Sequence, residues 1–470
     1  MSIELSCHNA LADRVGPENG LRLEEMESLE DRAKEIRRRL QAMRQSGEAG
    51  FYDLPQDKTA AREAKKLAQR VRAGFENFVL LGIGGSALGP ACVHTALAHP
   101  YHNILGKKER RGAPRMFFLD NADPEWVGRL SEAIDLKKTF FSVVSKSGST
   151  PETLAQLMVF YAAAAKKAGR LRVDRQFAAT TDPGNRPLRD LAQRRGWPIL
   201  EMPKKVGGRF SVLTAVGLFP AAVEGISPQR LLSGAAEMEG RCRVEDLRKN
   251  PAEFFAAIHY LADTRLGKHL AVMMPYASAL RDLADWHRQL WAESLGKAVD
   301  LSGATVHAGQ TPVKALGATD QHSQVQLYAE GPNDKIFTFI GVERFRKGCK
   351  IPAGLPELGE MSYLSGPDMS RLLNEELNAT EFALTKAQRP SLRFQWDRIT
   401  PENLGGMFFL LEAATAFAGG LYNIDPFNQP GVEEGKRATA ALMGRDRPED
   451  RQKRAEIAQM RRDGGGQERV

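Results

Sequence analysis

Four short apolar runs, at 78–81, 116–119, 140–144 and 177–180, constrain the fold of this chain more than any other feature. Each is bounded by glycine or polar residues and shows no alternation, as expected of strands buried on both faces of a parallel sheet. Helix-length segments such as 152–167 separate them, so the first half predicts repeated βαβ units. The pattern returns with runs at 270–274, 336–340 and 392–396 between helical stretches at 280–295, 369–384 and 404–421. Two mainly parallel α/β domains joined through helices around 211–261 are expected. Ahead of them, Leu23, Met26, Leu29, Ala33, Ile36, Leu40 and Met43 recur at helical spacing and predict one amphipathic helix over 21–45, with a second over 60–72. The expected division is an N-terminal helical segment (1–75), a first domain (76–225), a second (226–443) and a charged C-terminal tail (444–470). That tail ends near Gly464-Gly465-Gly466 and is expected to be mobile beyond a short helix.

A chain of 470 residues exceeds one ordinary core, and 42% hydrophobic with 26% charged residues is a globular rather than a disordered balance. Cys7, Cys92, Cys242 and Cys349 are scattered, without a CxxC pair or zinc-like histidine spacing, and read as reduced structural thiols. The net charge of +8 invites a nucleic-acid reading, but basic residues are interleaved with acids, as across 445–451. No nucleic-acid partner is expected, and a mild positive field suits a small anionic substrate. The first residues lack a basic stretch followed by an apolar run, and no later stretch is expected to reach bilayer length. A cytoplasmic location without a membrane partner is the expectation.

Two loops carry the chemistry of an anion site. Gly82-Ile83-Gly84-Gly85-Ser86-Ala87-Leu88-Gly89 follows an apolar strand and opens a helix, where free amides favour an anion. Its loose dinucleotide pattern lacks the acid expected about 20 residues later. Ser145-Lys146-Ser147-Gly148-Ser149-Thr150-Pro151 packs hydroxyls, one ammonium and a glycine into a second strand-to-helix turn, with proline suited to the first helical position. Helix capping would account for one such hydroxyl, but this density matches a phosphate held by charge-assisted hydrogen bonds.

Both loops resemble the sugar-phosphate site of sugar isomerase (SIS) domains. Four further segments narrow the resemblance to the phosphoglucose isomerase family: Val206-Gly207-Gly208-Arg209-Phe210-Ser211, Gln289 to Lys297 with Glu293 inside it, Gly317 to Gln324 with His322, and Tyr422 to Lys436 with Gln429. The resemblance implies two SIS domains, a homodimer with shared active sites, no metal and no redox cofactor. It implies reversible isomerisation of glucose 6-phosphate and fructose 6-phosphate through a cis-enediolate. By similarity, Gly85, Ser86, Ser145, Lys146, Ser147 and Thr150 hold the phosphate, while Arg209, Gln289, Glu293, His322, Gln429 and Lys436 surround the reacting carbons.

The chemistry fits those residue types. A carboxylate, here Glu293, can carry a proton from C2 to C1 when its pKa is tuned, and Trp286, Leu290, Trp291 and Leu295 on the same helix are expected to supply apolar walls that raise it. An imidazole, here His322, suits the proton shuttle of ring opening, assisted by Lys436. His94, His99, His102 and His287 lack accompanying polar motifs and are read as structural. Arg209, after two glycines, can stabilise developing enediolate charge. The rivals are an amino-sugar phosphate isomerase and a noncatalytic sugar-phosphate sensor. The joint presence of Glu293, His322 and Lys436 argues against the sensor.

Overall fold

The computed structural model of the chain describes residues 2–352 and 356–463. It opens on strand β1 (Ile3–Ser6) and continues into helices α1 (Glu30–Ser46) and α2 (Lys58–Gly74). The single helix expected over 21–45 is broken. A short helix, Leu23–Glu27, stops at Ser28, whose hydroxyl donates to Glu25 O at 2.7 Å, and α1 starts anew at Glu30. A serine that bonds a nearby carbonyl offers the backbone an alternative to the helical ladder, which apolar periodicity does not register.

The first sheet comprises β2 (Asn77–Leu81), β3 (Arg115–Leu119), β4 (Thr139–Val144), β5 (Phe177–Thr181) and β6 (Ile199–Glu201). All are parallel, in the order β3-β2-β4-β5-β6. β2, β4 and β5 are buried at every position, the state their unbroken apolar runs predict. β2 and β4 are neighbours whose chains leave in opposite directions, one toward β3 and the other toward β5. Their carboxyl ends therefore form the switch-point crevice where α/β sheets bind ligands. Helices α3 (Leu88–Leu97) and α4 (Pro151–Ala168) start there, each after one of the candidate phosphate loops.

Beyond helix α5 (Pro228–Arg241), the second sheet uses β7 (Leu270–Pro275), followed by helix α6 (Arg281–Leu295) and a small antiparallel hairpin of β8 (Lys297–Val299) and β9 (Thr305–Ala308). β10 (Thr311–Lys314), β11 (Lys335–Arg344) and β12 (Ser391–Arg398) complete it in the order β1-β12-β11-β7-β10, parallel except for β1. The N-terminal strand thus joins the far sheet. β1, β6 and β10, which no apolar run announced, are all edge strands. Edge strands are short and half solvated, and β10 tolerates Pro312 because an edge can spare a hydrogen bond. One hydrophobic cluster runs from Phe78, Phe140 and Phe219 to Ile340 and Phe394, so both sheets share a core.

Helix α7 (Pro401–Leu421) corrects the expectation that no stretch is long enough for a bilayer. Its 21 residues are long and apolar enough, but 94% of its apolar window is buried inside the protein. A helix apolar on every side is either a membrane span or a core helix, and burial makes this one a core helix. Glycines let α7 and α5 touch backbone to backbone: a Cβ on Gly405 would lie 1.9 Å from Leu231 O, and one on Gly234 1.8 Å from Glu402 O. The chain then runs through α8 (Glu433–Leu442), which carries Lys436, into α9 (Pro448–Asp463). Arg454 Nη1 ties the two, donating to Ala441 O at 3.0 Å and Arg445 O at 2.6 Å. The charged tail thus includes a helix of 16 residues, while its glycine run lies outside the described residues.

Candidate active site

The two loops at the crevice play different parts. After β4, Ser145 is buried and its Oγ lies 2.8 Å from Thr150 Oγ1, with Ser147 Oγ at 3.5 Å from the same atom and Ser149 Oγ donating to Ser147 Oγ at 3.3 Å. Thr150 occupies the N-cap position of α4, yet its side chain makes no capping hydrogen bond. The hydroxyls converge on one another rather than on the helix start, an arrangement capping does not explain. Burial lowers the proton affinity of the Lys146 ammonium, with Asp182 opposing and Arg209 and Arg186 adding to the effect.

After β2, glycine serves close approach. A Cβ on Gly85 would lie 2.2 Å from Gly208 O, and one on Gly84, itself at φ +57°, would lie 2.9 Å from Gln289 Nε2. Only bare backbone lets this turn rest against both the Arg209 turn and the Gln289 side chain. The Ser86 amide is engaged within the turn, donating to Ile83 O at 3.2 Å.

Arg209 is the hub. It is 4% exposed, and its Nε donates to Ser294 Oγ at 2.6 Å. Nη1 donates to Gln429 Oε1 at 2.9 Å and lies 3.3 Å from Glu293 Oε1, while Nη2 donates to Pro426 O at 2.5 Å and Asn428 O at 3.1 Å. Burial weakens its hold on the proton, against the nearby charges of Glu293 and Asp425. Gln289, one helical turn before Glu293 on α6, donates to Glu293 Oε2 at 3.0 Å. Two sequence segments thus meet at this carboxylate, and the segment of Gln429 joins them through Arg209.

The four apolar side chains expected to wall Glu293 belong to the core. Trp286, Leu290, Trp291 and Leu295 are buried in the core, where Trp286 meets Phe408 and Trp291 meets Phe255 edge-on. The polar partners of the carboxylate are a guanidinium and an amide. Helical periodicity identifies a core-facing stripe but not which side chains border a particular atom.

His322 and Lys436 stand apart from this cluster. His322 is exposed beyond a short turn, Thr319–Gln321, and the Lys436 ammonium donates to Glu433 Oε1 at 2.8 Å on α8. Among the described residues, neither has a hydrogen bond or ion pair to Arg209, Gln289, Glu293 or Gln429. His259 and His287 are fully sequestered, their proton affinities lowered by burial to about 4 and about 3. His94 and His102 both face Glu224. Sequence reading missed two braces. Ser294 holds the Arg209 Nε, and Asp182, on the turn after β5, holds the Arg186 Nε at 3.3 Å beside Gly148. Only adjacency to Glu293 could have pointed to the first.

The chain matches the family model of phosphoglucose isomerase over residues 21–457. It is 48% identical over 425 residues to a glucose-6-phosphate isomerase of Carboxydothermus hydrogenoformans, covering 90% of each chain. It is 45% identical over 401 residues to one of Rubrobacter xylanophilus, covering 84% of this chain and 89% of that one. Among solved structures, a hypothetical protein of Thermus thermophilus superposes with a TM-score of 0.84 at 36% identity, over 94% of this chain and 100% of the other. A glucose-6-phosphate isomerase of Chlamydia trachomatis superposes with a TM-score of 0.73 at 26% identity, over 86% and 77%. With a match that begins ahead of the first sheet and runs past Lys436, and relatives near half identical over most of their length, this chain belongs to the phosphoglucose isomerase family.

Proposed function

We propose that this protein interconverts glucose 6-phosphate and fructose 6-phosphate, as a step of glycolysis and gluconeogenesis. The observation that carries the reading is the Glu293 carboxylate held between Arg209 and Gln289, with Arg209 also close enough to act on the charge of Lys146 in the loop of converging hydroxyls. In this reading the hydroxyls of Ser86, Ser145, Ser147 and Thr150, the Lys146 ammonium and the Gly85 backbone hold the phosphate. Glu293 takes the proton from C2 and returns it to C1. Arg209 stabilises the enediolate oxygens from a buried position where charge is poorly screened, and Gln289 and Gln429 orient the site.

His322 shuttles the proton of ring opening, with Lys436 assisting, and a second subunit brings His322 to the carboxylate. Exposed apolar side chains near both residues, Leu327 beyond His322 and Leu442 and Met443 beyond Lys436, offer surface that a second copy can cover. The same reading assigns the phosphate loops to a first domain over 76–225 and Glu293, His322 and Lys436 to a second over 226–443, with 1–75 and 444–470 as appended segments. It sets the enzyme in the cytoplasm without a nucleic-acid or membrane partner.

Purified protein given fructose 6-phosphate should form glucose 6-phosphate in a coupled assay, and pretreatment with chelator should leave the isomerase step unchanged. Full loss in chelator, restored by a divalent ion, would reject a mechanism built only on side-chain acids and bases. Ser147→Ala and Thr150→Ala should act on binding, because the phosphate is remote from the reacting carbons. One lost hydrogen bond to a charged group is worth about 1.5–3 kcal/mol, so KM should rise roughly 10- to 100-fold while kcat changes by less than about 3-fold. Steady-state kinetics with unchanged KM and kcat in both variants would remove this loop from the phosphate site.

A further inference from the structure

Lys297 closes the segment that begins at Gln289, and the proposed mechanism leaves it without a task. Its position is unusual for a lysine, a residue rarely buried unless paired. It is 8% exposed, and its Nζ donates to Glu293 O at 2.9 Å and to Ser294 O at 2.6 Å. Both carbonyls belong to the last turn of α6, where intrahelical partners run out. The backbone of Lys297 is held independently, since it pairs with Ala308 in the β8–β9 hairpin. The following Gly309 lies so close to the helix end that a Cβ would come 2.6 Å from Leu295 O. The side chain therefore folds back from a fixed strand onto the helix end.

The two peptide units it grips carry Glu293 and Ser294, and Ser294 Oγ accepts from Arg209 Nε at 2.6 Å. One ammonium thus underlies both the carboxylate and the brace of the guanidinium. The charged groups facing it are Arg209, Asp425 and Glu293. Burial and then Arg209 pull its proton affinity down to about 8, with Asp425 and Glu293 opposing.

We propose that Lys297 is a positioning residue of the isomerisation, holding the last turn of α6 so that Glu293 and Arg209 address the same substrate carbons while its charge adds to that of Arg209. The proposal rests on the isomerase reading above. A neutral amine can still donate to both carbonyls, so losing its proton removes the added charge and leaves the grip. Removing the side chain removes both. The two roles therefore separate experimentally.

The test compares wild type, Lys297→Met and Lys297→Arg for kcat and KM between pH 6 and 10, with melting temperatures alongside. At pH 7, Lys297→Met should lose about 10- to 100-fold in kcat, the scale on which misplacing reacting groups acts, with KM within about 3-fold. Wild-type kcat should fall through an alkaline limb near pH 8. Lys297→Arg should recover part of the lost activity and lack that limb, because a guanidinium does not titrate there. A Lys297→Met enzyme within about 2-fold of wild type overturns the proposal, as does a limb near pH 8 that persists unchanged in Lys297→Arg. If Lys297→Met fails to fold, the limb in Lys297→Arg decides. A wild type that does not isomerise would reject the isomerase reading itself, whereas an active wild type with indifferent variants rejects only the role of Lys297.

Discussion

Glu293→Gln is expected to lower kcat by about 10²- to 10⁴-fold, the usual worth of a positioned general base, with KM changed by less than about 3-fold. The geometry makes this a clean substitution. The amide oxygen can still accept from Arg209 Nη1, which lies 3.3 Å from Glu293 Oε1. The new NH₂ would meet the Gln289 Nε2 that donates to Glu293 Oε2 at 3.0 Å, but Gln289 Oε1 is buried without a protein partner, so turning the Gln289 amide over restores the bond. The shape of the site persists while the proton acceptor is gone. Turnover in both directions is the measurement, together with exchange of the C2 hydrogen with solvent deuterium, which should fall in parallel. Near-normal turnover would reject Glu293 as the base.

The second large effect is a recovery. His322→Ala should be as inactive alone as Glu293→Gln, yet unfolding and refolding the two proteins together should restore activity. His322 is exposed, and its short turn is tied to the body through Gln321, whose Oε1 accepts from Tyr276 Oη at 3.1 Å and Thr380 Oγ1 at 3.0 Å. It therefore faces outward from its own chain. In a mixed dimer one site collects both defects, and the other combines an intact Glu293 with an intact His322. Random reassortment of equal amounts makes about half the dimers mixed, so recovery should approach about one quarter of wild-type sites. The mixture without subunit exchange is the control. If differently tagged chains prove that exchange occurred and activity stays at the level of the parents, the shared site is wrong.

The sequence by itself determined the two mainly parallel sheets, because β2, β4 and β5 are buried on both faces and so show unbroken apolar runs. It also marked the loops after β2 and β4, since glycine and clustered hydroxyls at a strand-to-helix turn have few other uses. Only the tertiary structure decided the rest. The edge strands β1, β6 and β10 take their place from pairing with distant partners, and β1 pairs with a strand nearly four hundred residues away. Helix α7 is long and apolar enough for a membrane span, against expectation, and its place in the core is decided by the contact of α5 and α7 backbones at Gly234 and Gly405. The polar partner of Glu293 was decided in the same way: its helix places tryptophans nearby in sequence, while Arg209 arrives from another segment. Lys297 gained a role only once a hairpin had turned its side chain back on the helix that precedes it. Local sequence records how each residue divides between core and solvent. Which remote groups share one atom's neighbourhood is set by close packing between segments, and no periodicity along the chain encodes it.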